Sequence, residues 1–183
     1  GLSFKLVAVD PAYTLGQREA RRRETLAALQ AAGLIGRNAG LAFPVLPLRV
    51  GLVTSVGSAA EKDFLAGLAA AGYAFTVLRA DCRMMGEQMV GQVTGALRAL
   101  GAAGVDVVVV TRGGGSKADL SWFDHRDVAE AVARCPVPVV TAIGHEIDLS
   151  LADLVAHHHC KTPTAAAQDL VDRVAAADRR LRR

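Results

Sequence analysis

The chain has 183 residues, 51% of them hydrophobic and 21% charged, with a formal net charge of +3. Disorder needs fewer apolar residues and a larger net charge, so the composition excludes it. A membrane-spanning helix needs roughly 20 apolar residues, and the longest uncharged apolar stretch, about 135–143, is shorter and holds two prolines.

A basic segment leading into an apolar one is absent from the N-terminal residues, so no secretory leader is expected. The length suggests one main domain with attachments. Cys82, Cys135 and Cys160 stand far apart without framework spacing, which points to free thiols in a reducing, cytoplasmic compartment. Seventeen Arg stand against four Lys, with clusters at Arg18, Arg21, Arg22 and Arg23 and at Arg179, Arg180, Arg182 and Arg183. The planar guanidinium favours anionic partners, although a genomic bias toward Arg codons would give the same excess.

In chain order, 4–9 reads as a short strand ended by Asp10-Pro11, and 17–32 as a helix stopped by Gly33. The segment 34–48 carries Gly36, Asn38, Gly40, Pro44 and Pro47, which is loop chemistry and suggests a linker. Regular alternation follows. The run 50–55 is a strand closed by Gly57, and Ser58 can cap a helix reaching residue 71. A second strand is expected at 74–78. A helix at 87–100 carries Met89, Val93, Ala96, Leu97 and Leu100 at helical spacing. The β-branched run 105–110 suits a strand buried on both faces. A helix at 124–133 and a fourth strand at 137–143 complete the pattern.

Strands alternating with helices imply an α/β domain of three layers, with a mainly parallel sheet and right-handed crossovers. We expect this domain over 49–162, with strand order 2-1-3-4 and the first and third strands central. Thr162-Pro163 starts a further helix over 163–183. Ala167, Leu170, Val174, Ala177 and Leu181 fall on heptad positions. That is a little over two heptads, short of a coiled-coil signature, and an amphipathic helix packing on its own domain fits equally. The pattern stops mid-helix, so the chain reads as part of something longer.

Ligands in open parallel sheets bind beyond the carboxyl ends of the strands, where strand order reverses. Three loops meet that condition: Thr54 to Ser58, with Asp63 in the helix beyond; Thr111 to Ser116; and Gly144 to Asp148. Gly113, Gly114 and Gly115 leave room for backbone amides to approach an anion. Arg112 adds a permanent charge. Ser55 and Ser116 are further candidate phosphate donors. The order Gly115-Ser116-Lys117 fails the nucleotide P-loop pattern. Gly113, Gly115 and Ala118 satisfy a dinucleotide glycine pattern only formally, because the next strand ends in no ribose-binding carboxylate. His145 and Asp148, three apart, can share one helix face, and an imidazole beside a carboxylate can shuttle protons. His157, His158, His159 and Cys160 invite a zinc reading, but adjacent side chains diverge and known sites space their ligands further apart. Trp122 and Phe123 are either stacking aromatics or core.

Together the blocks GLVTSVGSAAEKDF (51–64), VVVVTRGGGSKADL (107–120), PVPVVTAIGHEIDLSLADLVA (136–156) and KTPTAAAQ (161–168) resemble the large subunit of exodeoxyribonuclease VII. The resemblance spans about 45–170. Residues 1–48 are similar to the tail of that family's OB-fold domain and its connecting helix, and 163–183 to the start of its long coiled coil. The resemblance implies degradation of single-stranded DNA from both ends to short oligonucleotides. It implies catalytic roles for Asp63, Arg112, His145 and Asp148, and small subunits carried by the coiled coil. Mg²⁺ is a candidate cofactor, with Asp63 and Asp148 as its carboxylates; whether it is obligatory is left open. The chain departs from the family at Ala156-His157-His158-His159-Cys160, where Ala-Asp-x-Arg-Ala is usual, and at Ala118-Asp119-Leu120, where Glu-Asp-Leu is usual. Two rival readings are a non-hydrolytic phosphate- or nucleotide-binding module and a degenerate scaffold.

Overall fold

A computed structural model describes residues 11–114, 117–144 and 149–182. The strand expected at 4–9 lies outside them. Helix α1 spans Pro11–Ala31 and ends at Gly33. The sheet strands are β1 (Arg49–Thr54), β2 (Thr76–Asp81), β3 (Val107–Thr111), β4 (Val139–Ala142) and β5 (His158–His159). All pair in parallel, in the order β2-β1-β3-β4-β5. The expected order 2-1-3-4 is therefore present, and β5 extends it. Between the strands run α2 (Ala59–Ala70), α3 (Glu87–Ala102), α4 (Lys117–Leu120), a 3-10 turn (Ser121–Asp124), α5 (Arg126–Arg134) and α6 (Leu151–Val155). Helix α7 (Pro163–Leu181) closes the order.

The valine run of β3 shows why this sheet needs two covers. Val108 and Val110 join a core with Val93 and Leu97 of α3, Val128 and Val132 of α5, and Leu151 of α6. Val107 and Val109 point to the other face, against Phe64 and Leu68 of α2 and Ala167 and Leu170 of α7. All of these side chains are buried. Period-two alternation in a strand apolar on both faces gives the expected three layers. Leu29 at the end of α1 enters the first core. Asn38, fully buried, ties the 34–48 segment to β4: its side chain donates to Cys135 O and Val137 O and accepts from Val139 N. Cys82 and Cys135 are buried, Cys160 is half-buried, and all three are free. No helix among the described residues is long and apolar enough to cross a membrane.

The expected starts of α2 and α7 hold atom by atom. Ser58 Oγ accepts from Glu61 N at 3.2 Å, and Thr162 Oγ1 from Ala165 N at 3.0 Å. Strand β2 runs further than expected, to Asp81, because it pairs with β1 along its full length. The heptad positions Ala167, Leu170, Val174 and Ala177 are buried, while Leu181 is exposed.

Gly67 lets α7 approach α2. A Cβ there would stand 2.8 Å from Ala167 Cβ, closer than carbon atoms tolerate. Gly67→Val is expected to separate the helices and to cost about 1–3 kcal/mol. Thermal denaturation checks it: a fall of roughly 2–10 °C is expected for a chain of this size.

Candidate functional site

The two central strands deliver their carboxyl ends to one cleft of about 500 Å³. From β1 and its loop come Thr54, Ser55 and Ser58; from β3 come Arg112, Gly113 and Gly114; Arg83 and Met84 follow β2. Ala59, at the N-terminus of α2, also lines it. No carboxylate does, among the described residues.

The β1–α2 loop is held from below by two carboxylates. Asp81 Oδ1 accepts from Val56 N at 2.9 Å. Glu61, nearly buried, accepts from Gly57 N at 2.6 Å and from the Arg79 guanidinium at 3.1 Å. These bonds fix the entry to α2, whose first amides have no partner within the helix. A helix N-terminus of this kind favours an anion.

Arg112 is 5% exposed. Its backbone amide continues the sheet by donating to Ala142 O at 3.2 Å. Its Nη2 lies 3.5 Å from Asp119 Oδ2, a long contact, and its Nε has no hydrogen-bond partner among the described residues. Burial pulls the guanidinium pKa down and Asp119 pushes it back up, with burial prevailing; an arginine still keeps its charge at neutral pH. The other buried, unpaired side-chain atoms among the described residues are Thr54 Oγ1 and Thr111 Oγ1. These close β1 and β3 at the same edge. Leaving a buried polar atom unpaired costs about 1–3 kcal/mol. Three such atoms at the carboxyl edge of adjacent strands are donors without an acceptor.

Gly113 and Gly114 take no left-handed φ. A Cβ at Gly113 would make ordinary contact with Ala60 at 3.7 Å, and one at Gly114 would meet nothing. The fold therefore makes no steric demand for glycine at either position; the gain is open space beside Arg112. Gly115 and Ser116 lie outside the described residues, as do His145 and Asp148. Gly144, just before the latter pair, has φ of +80°, where a side chain would be strained.

Asp63 is exposed on α2, three residues beyond the Ala60 that faces Gly113, and does not line the cleft. Among the described residues no three His, Cys, Asp or Glu side chains gather to hold a metal. Trp122 and Phe123 divide their roles: Phe123 is buried in the core, while Trp122 is half-buried and lines a second cleft. Sequence reasoning missed Arg83, Glu61 and the α2 amides. Arg83 was open to the strand-end rule, because it follows the carboxyl end of β2.

The histidines 157–159 belong to the far edge of the sheet. His157 Nε2 lies 3.2 Å from Leu41 O, and its Nδ1 lies 3.0 Å from His158 Nδ1. His158 Nε2 pairs with Asp169 Oδ2 at 3.0 Å, and Arg173 Nε donates to the same oxygen at 2.9 Å. Arg173 also covers the Phe43 ring at 4.0 Å. Burial raises the Asp169 carboxyl, but its bonds from His158 and Arg173 outweigh that and hold it at about 2, below its usual 3.8. The ionised form is the one the fold prefers. Its contribution is complete above pH 3.8 and fades as pH falls toward 2. Asp169→Asn is expected to lower stability at pH 7 by about 1–3 kcal/mol. Denaturant melts should show the difference from the parent shrinking between pH 4 and pH 2.

The family model described as "Exonuclease VII, large subunit" matches residues 34–183. The chain is 42% identical to an exodeoxyribonuclease 7 large subunit of Moorella thermoacetica over 161 residues, 87% of this chain and 40% of that protein. It is 39% identical to that of Streptomyces coelicolor over 185 residues, 99% and 45% of the two chains. With that of Mycobacterium tuberculosis it shares 38% identity over 169 residues, 92% and 41%. The chain thus spans about two-fifths of the length of these relatives. A family model covering residues 34–183, together with relatives about 40% identical over most of this chain, places the chain in the exonuclease VII large-subunit family.

Proposed function

We propose that this chain is a nuclease catalytic domain that hydrolyses phosphodiester bonds of single-stranded DNA, working from both ends to short oligonucleotides. The observation that carries the reading is a cleft lined by Thr54, Arg112, Gly113 and Gly114, in which Thr54 Oγ1 and Arg112 Nε are buried and unpaired and no carboxylate takes part in the lining among the described residues. A phosphodiester supplies the acceptors these donors lack. Arg112 and the amides of the glycine loop hold the scissile phosphate and stabilise the charge that grows in the transition state, as preorganised donors do. His145 serves as general base or acid, and Asp148 orients it. Ser55 and Ser116 give further hydrogen bonds to the phosphate.

Asp63 and Asp148 are the proposed carboxylates for Mg²⁺, which would neutralise phosphate charge when bound. Of that pair only Asp63 is among the described residues, exposed on α2 and outside the cleft lining, and it does not by itself make up such a site, so no step above depends on the metal. The C-terminal helix is proposed to carry the small subunits named by the resemblance. Three free thiols suit a reducing cytoplasm.

The test is degradation of end-labelled single-stranded and duplex DNA with Mg²⁺ or with EDTA. It uses the chain alone and a large subunit containing it, assembled with small subunits. Selective loss of the single strand is expected, and the EDTA arm decides the metal requirement. An assembled enzyme that binds single strands and leaves them intact would overturn the reading in favour of a phosphate-binding module.

A further inference from the structure

The second cleft, about 450 Å³, lies between α1 and the corner formed by the 3-10 turn and α5. Arg18, Arg21, Arg22 and Arg126 line it, together with Trp122 and His125. Arg18, Arg21, Arg22 and Thr25 are spaced i, i+3, i+4 and i+7, so they share one face of α1. Leu26 and Leu29, further along, turn toward the core. Four arginines in the cleft meet two carboxylates, Glu24 and Asp124. Asp124 is already engaged: its Oδ1 accepts from Leu151 N at 2.8 Å and lies 3.5 Å from Arg22 Nε. Arg126 is exposed and shares its charge with Glu130. Arg18 and Arg21 are exposed and have no ion-pair partner among the described residues.

Two links along the chain run from this cleft toward the phosphate site. Asp119, which contacts Arg112, precedes Trp122 by three residues. Arg22 Nη2 donates to Leu149 O at 2.6 Å, immediately after the block that holds His145 and Asp148. Cationic side chains along a groove with an aromatic ring beside them are the requirements of single-strand binding without sequence preference.

We propose that this groove is a track for the single-stranded DNA beyond the scissile phosphate. Arg18, Arg21 and Arg126 take backbone phosphates, and Trp122 stacks a base. Arg22 holds the wall of the groove against the residue 149 backbone. The inference rests on the reading of the chain as a single-strand nuclease, and it adds a binding surface on α1 outside the cleft at the strand ends.

Trp122 is the one tryptophan of the chain, so its fluorescence reports this groove alone. The probe is an oligothymidylate with phosphorothioate linkages, which slow cleavage. Binding is expected to quench Trp122 fluorescence. Arg18→Ala combined with Arg21→Ala should weaken binding about tenfold and flatten the log-affinity against log-salt slope by about 1.4, as for two lost single-strand phosphate contacts. Trp122→Leu, followed by anisotropy of labelled DNA, should weaken binding roughly 5- to 100-fold. With ordinary DNA the arginine variant should raise KM and keep kcat. Both arginines are exposed on α1, so this variant does not depend on the fold tolerating a change at Trp122.

Absence of quenching, or an arginine variant with unchanged affinity and salt slope, overturns the track. If parent cleavage continues in that case, the nuclease reading stands without it. Quenching by DNA in a protein that cleaves nothing once assembled would instead sink the nuclease reading and keep the groove. Equal quenching by polyglutamate would make the groove an acidic-peptide site and overturn the proposal as well.

Discussion

Arg112→Met should lose about 1000-fold or more in single-strand cleavage while melting at the same temperature as the parent or above it. The two halves of that expectation have one cause. Arg112 is buried, its Nη2 makes a long 3.5 Å contact with Asp119, and its Nε is unpaired among the described residues. Replacing an undersatisfied buried charge with an apolar side chain of similar volume is commonly neutral or stabilising. The same side chain is the preorganised donor for the phosphate, and losing one such donor alone costs about 100- to 1000-fold. Removing a full positive charge with it places the loss at the upper end. Arg112→Lys should not restore the rate, because an ammonium cannot reproduce the forked donor geometry. Single-turnover cleavage of end-labelled DNA, beside a thermal melt, checks both halves. If activity falls only in proportion to a lowered melting temperature, Arg112 is a structural residue and the phosphate role fails.

The parts of the fold that could be read from the residues are those set by local chemistry. The valines of 107–110 announce a strand covered on both sides, and Ser58 and Thr162 announce helix starts, because each effect acts within a few residues. Strand β5 could not be read that way. Two histidines have no strand signature, and they become a strand because His157 N and Cys160 N find Val139 O and Thr141 O. That is a tertiary choice made by the exposed edge of β4. The same limit applies to Glu61, a solvated helix residue by pattern. Only the folded β1–α2 loop shows that its carboxylate turns back to Gly57. The four histidine and cysteine positions 157–160 suggested a metal by composition. In the structure His157 and His158 turn to Leu41 O and Asp169, and the backbone amides of His157 and Cys160 join the sheet edge. The cleft was legible in part: the strand-end rule selects Thr54, Ser55 and Arg112 together. It could not distinguish which side chains the helix geometry turns outward, and Asp63 proves to be one of these.

Asp153→Ala should cost about 2–4 kcal/mol, the sum expected from a lost helix cap and an unpartnered buried hydroxyl. Its Oδ1 accepts from the buried Thr141 Oγ1 at 2.6 Å. Its Oδ2 accepts from Ser150 N at 3.0 Å and from Ser150 Oγ at 2.7 Å, and Ser150 Oγ in turn accepts from Asp153 N. One carboxylate therefore ties β4 to the start of α6, and the span between those two anchors contains His145 and Asp148. Loosening both ends of that span should reach the chemistry, since misplacement by about 1 Å can cost roughly 100-fold in rate. The expected result is a melting temperature lower by about 5–15 °C together with a fall in kcat, KM being little changed. Asp153→Asn keeps an acceptor for Thr141 but loses an oxygen facing Ser150, so it should fall between parent and alanine variant. Thr141→Val and Asp153→Ala remove the same hydrogen bond, and their effects on stability should be less than additive. Loss of cleavage with an unchanged melting temperature would mean that Asp153 takes part in the reaction itself, and that something other than this carboxylate anchors the span.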